Sequence, residues 1–137
     1  MTTVDESATA HARQMFADDL ASRALGIEIA ALSPGHATAT MTVSDRMVNG
    51  HGITHGGYVF LLADTTFALA CNSHGRSAVA ARADIRYLRP TRAGELLTAT
   101  AVERAVFGRN GIYDVTVTDS AGRTVAEFRG DSRVIAN

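Results

Sequence analysis

At 137 residues the chain has room for one domain with a usable core, yet a monomer this small leaves much apolar surface to hide, so oligomers are expected. Hydrophobic residues make up 46% and charged residues 20%, with a formal net charge of -1, which argues against a disordered tail and against a nucleic-acid-binding surface. The single cysteine, Cys71, rules out an internal disulfide framework and fits a reducing, cytoplasmic setting. No run reaches the roughly 20 apolar residues of a membrane span, and the amino terminus has acids where a signal peptide has basic residues.

Taken in order, residues Glu6 to Ser22 set Ala8, Ala12, Met15, Phe16 and Leu20 at helical spacing, which predicts one amphipathic helix. Leu25 to Leu32 reads as a strand, Ser33-Pro34-Gly35 as a turn, and His36 to Val43 as a half-buried strand in which Ala37, Ala39, Met41 and Val43 alternate with polar residues. A polar loop, Val48 to His55, then runs into Gly56-Gly57 and a helix, apolar nearly all round, that closes at Ser73 to Gly75. Four strands follow: Val79 to Leu88, Glu95 to Val106, a strand carrying Tyr113, Val115 and Val117, and Arg123 to Ile135. Asn110-Gly111 and Asp119 to Gly122 supply the hairpin turns. Consecutive strands favour an antiparallel sheet, and an apolar helix must be covered, so a curved sheet wrapped around the central helix is expected (α+β class). No repeat or linker divides the chain, and residues 1–137 are read as one domain.

The chemistry concentrates between Val48 and Gly75. Asp64 is the only charge in the apolar run, with Phe60, Leu61, Phe67 and Ala68 as its helical neighbours, so its carboxylate emerges on an apolar face. Burial there raises a carboxylate's pKa and makes it a stronger base, or a nucleophile, unless it is simply hydrogen-bonded in the core. At the helix start, free N–H groups near Gly56 and Gly57 offer a place to polarise a carbonyl, although two glycines also serve merely to let the chain enter a buried helix tightly. His55 can orient the loop or contact substrate, and Asn49 can position a water or carbonyl or act only as a turn residue.

Eight residues separate Gly56 from Asp64, roughly 12 Å of helix at about 1.5 Å per residue. One carbonyl cannot meet both at a hydrogen-bonding distance of about 3 Å within the same helix. If the two groups cooperate, they come from two copies of the chain, with antiparallel helices across a twofold axis and two equivalent sites per dimer. A metal site is disfavoured, because His51 and His55 lack a completing cluster. Cys71 lies near the helix carboxy terminus, where a thiolate is disfavoured, and reads as a small core residue.

The segments Met47-Val48-Asn49-Gly50-His51, His55-Gly56-Gly57, Leu62-Ala63-Asp64-Thr65, Tyr87-Leu88-Arg89-Pro90 and Gly94-Glu95-Leu96-Leu97 together resemble the hotdog-fold acyl-CoA thioesterases, most closely the phenylacetic-acid-degradation (PaaI) type. The resemblance spans nearly the whole chain, and HGG followed seven residues later by Asp is specific within that fold. It implies hydrolysis of aryl-acetyl thioesters of coenzyme A, with the carbonyl polarised at Gly56 and hydrolysis driven by Asp64 of the partner subunit. Asn49 and His55 match loop residues around the reacting group. Gly57 is a substrate-binding candidate, as are Arg89 and Arg109 for the coenzyme A phosphates. No cofactor or metal is implied, and the assembly implied is a dimer with shared sites, paired into a homotetramer. Ala80 stands where some relatives of this fold carry a serine hydroxyl. An enoyl-thioester hydratase or dehydratase on the same fold, and a non-catalytic acyl-CoA-binding module, are the alternative readings.

Overall fold

Asp18 and Asp19 break the first helical stretch. The computed structural model describes residues 4–136, and in place of one helix over 6–22 it has α1 (Val4–Ala17) and α2 (Leu20–Ala24). Asp19 leaves helical geometry (φ -82°, ψ 88°) and its Oδ1 accepts the Ser22 N–H at 3.0 Å, an N-cap that starts a second helix. Apolar residues continue at helical spacing on both sides of the break, which is why the pattern alone reads as a single helix. Gly26, at φ 74°, then turns the chain, so β1 (Glu28–Ser33) begins three residues later than the pattern predicts.

The remaining elements are β2 (His36–Thr42), a single 3-10 turn (Asp45–Met47), α3 (Gly56–Cys71), β3 (Ser77–Tyr87), β4 (Leu96–Phe107), β5 (Asn110–Thr118) and β6 (Thr124–Ala136). The β4–β5 turn is a second correction. It lies at Gly108-Arg109, with Phe107 already paired to Asn110, and not at Asn110-Gly111. Gly111 is a strand residue whose missing Cβ makes room for its neighbours: a Cβ there would stand 2.8 Å from the Tyr113 ring and from Ser132 Oγ.

All six strands pair antiparallel in the order β1-β2-β4-β5-β6-β3, one curved sheet around α3 as expected. Its concave face is paved with Ala37, Ala39, Ala99 and Ala101 in the middle, small enough to let the helix sit close, and with Met41, Leu97, Val115 and Phe128 around them. Each fully buried large side chain contributes about 1.5–3 kcal/mol. Gly130 leaves the space that Phe67 fills, since a Cβ there would lie 2.7 Å from the Phe67 ring.

Two features of this frame position the site. Along α3, Gly57, Leu61, Asp64 and Ala68 form a stripe, spaced four, three and four residues, that the sheet does not fully cover. Strand β3, eleven residues long, is a sheet edge paired only with β6, and its Val79, Ala80 and Ala81 are exposed. On the convex face Thr40, Thr98 and Thr118 stand in one cross-strand row, and Thr38, Thr100 and Thr116 in the next.

Candidate active site

The loop before α3 is built to deliver the helix start. Asn49 Oδ1 accepts the N–H groups of His51 (2.9 Å) and Ile53 (3.4 Å), the Asn49 N–H donates to the Ile53 carbonyl (2.8 Å), and Gly52 turns at φ 76°. The segment after β3 holds this loop from the other side. Thr54 N–H donates to the Thr91 carbonyl at 2.8 Å, and the Thr91 hydroxyl donates to Thr54 Oγ1 at 2.7 Å. The Asn49 side-chain amide nitrogen has no protein partner among the described residues and borders the cleft described next.

His55 is the N-cap of α3, its Nδ1 accepting the Gly57 N–H at 2.9 Å. That bond requires a lone pair on Nδ1, so the proton of the neutral ring sits on Nε2. With the Gly57 amide occupied and the Tyr58 amide donating to the His55 carbonyl, the Gly56 N–H is left without a protein acceptor among the described residues. Tyr87, at the end of β3, donates its hydroxyl to the Gly56 carbonyl at 2.9 Å and pins the helix start to the sheet. A side chain on residue 56 would crowd that arrangement, because its Cβ would come within 3.0 Å of the Tyr87 ring. A cleft of about 450 Å³ opens here, bordered by Asn49, Gly56, Val59, Tyr87, Leu88 and Arg89 among others.

Asp64 lies two turns farther along α3, half-buried on the open stripe, and does not border this cleft within its own chain. Burial raises its carboxyl above the usual range, and the nearby Asp19 carboxylate adds to the rise. Cys71 is buried, its thiol pushed up to about 12 chiefly by burial, so it stays protonated. Among the described residues no group of three or more His, Cys, Asp and Glu side chains is arranged to hold a metal ion, and no helix is long and apolar enough to cross a membrane.

The structure therefore brings Asn49, His55, Gly56, Gly57 and Arg89 together and leaves Asp64 apart from them. Arg109 is at the far end of the sheet, in the β4–β5 turn, where its Nη1 donates to the Val134 carbonyl at 3.3 Å. Tyr87 is a site residue that the sequence offers only as part of a strand and of the Tyr87-Leu88-Arg89-Pro90 segment. Its signal is the tertiary contact with Gly56, which sequence spacing does not encode.

A family model described as the thioesterase superfamily matches residues 51–126. The chain is 47% identical to the acyl-coenzyme A thioesterase PaaI of Escherichia coli (strain K12) over 125 residues, 91% of this chain and 89% of that protein. The structure of the E. coli PaaI protein from the phenylacetic acid degradation operon superposes with a TM-score of 0.95 at 44% identity, covering 98% of each chain. A Streptococcus mutans UA159 protein solved with acetyl CoA bound superposes at 0.78 with 29% identity, over 81% of this chain and 90% of that one. The wrapped sheet and helix are thus the hotdog fold.

Proposed function

This chain belongs to the thioesterase superfamily, and from that premise we propose that it is a thioester hydrolase that cleaves acyl-CoA thioesters, aryl-acetyl ones in particular, in sites shared between two subunits. The observation that carries the reading is the pairing of a free Gly56 N–H at the mouth of a cleft with a raised carboxylate about 12 Å along the same helix, on its uncovered stripe. Neither group completes a site alone. Two helices lying antiparallel would put each Asp64 near the other's Gly56.

Strand β3 supports that dimer. An edge of eleven residues without proline offers a row of unpaired N–H and C=O groups that can pair with another chain, and its exposed Arg82, Asp84 and Arg86 carry both signs of charge, so an antiparallel copy can pair them. Joining two β3 strands antiparallel continues the sheet and sets the open stripes of both α3 helices toward each other. Arg109 then lies at the end of one sheet nearest the partner's cleft, which makes it, with Arg89, a candidate for the coenzyme A phosphates. The convex rows of threonine, uncharged and half-buried, suit contact with a second dimer in a homotetramer. The lone buried cysteine fits a cytoplasmic enzyme, and the chain is read as one catalytic domain with no cofactor.

In this reading the thioester carbonyl accepts the Gly56 N–H, with His55 and Gly57 holding the helix start and Asn49 offering its amide to the reacting group. Water adds to the carbonyl carbon as its proton passes to Asp64 of the partner subunit. The tetrahedral oxyanion is held by the Gly56 amide and the helix dipole, worth about 3–4 kcal/mol for one such donor. Collapse breaks the C–S bond, the proton passes to the departing thiolate, and free acid and coenzyme A leave. Direct attack by Asp64 on the carbonyl, through a mixed anhydride that water then opens, uses the same placement.

The aryl-acetyl preference is supported by likeness to the phenylacetate-operon relative and by the apolar walls, Val59, Leu88, Pro90 and Val125, of the cleft. A thiol-release screen over aryl-, alkyl- and enoyl-CoA thioesters tests it. Turnover highest with phenylacetyl-type substrates supports the reading, whereas a loss of enoyl absorbance without thiol release indicates a hydratase and overturns it.

A further inference from the structure

The matched family core begins at residue 51, so the α1–α2 elbow lies outside it, yet the elbow is wired to the residue next to Asp64. Ser22, fully buried, places its Oγ 2.6 Å from Asp19 Oδ2 and 2.8 Å from Thr65 Oγ1. An ionised carboxylate only accepts, so the one Ser22 hydroxyl proton goes to Asp19 and the Thr65 hydroxyl must donate to Ser22 Oγ. The chain thus runs Thr65 to Ser22 to Asp19, from the working helix to a carboxylate. A helix cap accounts for the bond from Ser22 N–H to Asp19 Oδ1 but not for this second arm, which a five-residue helix does not need. Leu20, between the two bonded residues, is 80% exposed, so the apolar anchors of the elbow are Phe16 and Leu25 on either side of it, and the polar chain is the link at the turn itself.

We propose that Asp19 is a positioning residue for the hydrolysis, tied by the Ser22 hydroxyl to Thr65, the residue next to Asp64, so that the elbow tunes the working carboxylate. The inference rests on the role given to Asp64 above. Among the described residues on the helices and strands that pack around Asp64, Asp19 is the one charge acting on it, and Cys71, on α3 itself, is a neutral thiol. No cation among the described residues acts on Asp64 against the Asp19 charge. A like charge makes the first proton harder to lose, which strengthens Asp64 as a proton acceptor.

The test is the pH profile of kcat/KM, measured by thiol release for the wild type, Asp19→Asn and Thr65→Val. Asparagine still caps Ser22 but carries no charge. The acid limb should move to lower pH by about half a unit or more, and plateau kcat should fall a few-fold at unchanged KM, because the base has become weaker. Thr65→Val cuts the chain at its α3 end while keeping the side chain's shape, and should move the limb in the same direction. Limbs that stay in place while thermal stability drops would show that Asp19 only caps α2, and would overturn the inference. Turnover surviving in Asp64→Asn would overturn the role of Asp64 itself, and this inference with it.

Discussion

Replacing Asp64 with asparagine removes one charge and one proton acceptor while keeping the side chain's size, so it separates chemistry from packing. If the carboxylate is the base, its loss should lower kcat by about 10² to 10⁴-fold, the usual contribution of a positioned general base, with KM for the thioester little changed. Stability should move the other way. Burial and then the Asp19 carboxylate raise the folded-state pKa above the unfolded value, so between those two values the folded chain binds more protons than the unfolded one. Stability therefore falls as pH rises through this range, and the penalty is fully present once pH is above the folded value. Asp64→Asn should raise Tm at pH 7, and the gain should shrink as pH drops through the folded pKa. Thiol release under saturating substrate gives kcat, and thermal melts at neutral and acidic pH give the stability difference. Near-normal kcat with a higher Tm would refute a chemical role for Asp64 while leaving the electrostatics intact.

Gly56→Pro deletes the free Gly56 amide at a position where proline suits a helix, since residue 56 is the first helical residue after the His55 cap. The ring must push Tyr87 aside slightly, and kcat should fall by about 10² to 10³-fold with near-normal secondary structure by circular dichroism. Gly130→Ala crowds the Phe67 ring and should cost about 1–3 kcal/mol in denaturant melts without moving the pH profile of turnover. Cys71, buried and protonated at neutral pH, should react with iodoacetamide only in denaturant, and full native activity after prolonged exposure checks its lack of a role.

Much of the fold is legible because its signals are local and agree with one another. Alternation in β2 and β5, the apolar run of α3 and the Gly75 stop each point to the element found. What eludes the pattern is set by single backbone choices or by distant contacts. Asp19 splits a helix whose apolar spacing runs on, and Asn110-Gly111 imitates a turn because glycine is needed there for Tyr113 and Ser132 instead. At the site, Gly56 and Asp64 stand out through their neighbours, and the length of helix between them is what leads to the proposal of a site shared by two subunits. Tyr87 and the Asp19–Ser22–Thr65 chain do not stand out, since each depends on residues more than thirty positions apart meeting in space.

The shared site is tested most directly by mixing two inactive proteins. Gly56→Pro and Asp64→Asn chains, unfolded together and refolded in equal amounts, should give dimers of which half are mixed. Each mixed dimer holds one site with both native groups, so activity should recover to about a quarter of wild type. A mixture as inactive as either parent, despite mixed dimers shown by mass spectrometry, would mean that Gly56 and Asp64 do not meet across a subunit boundary.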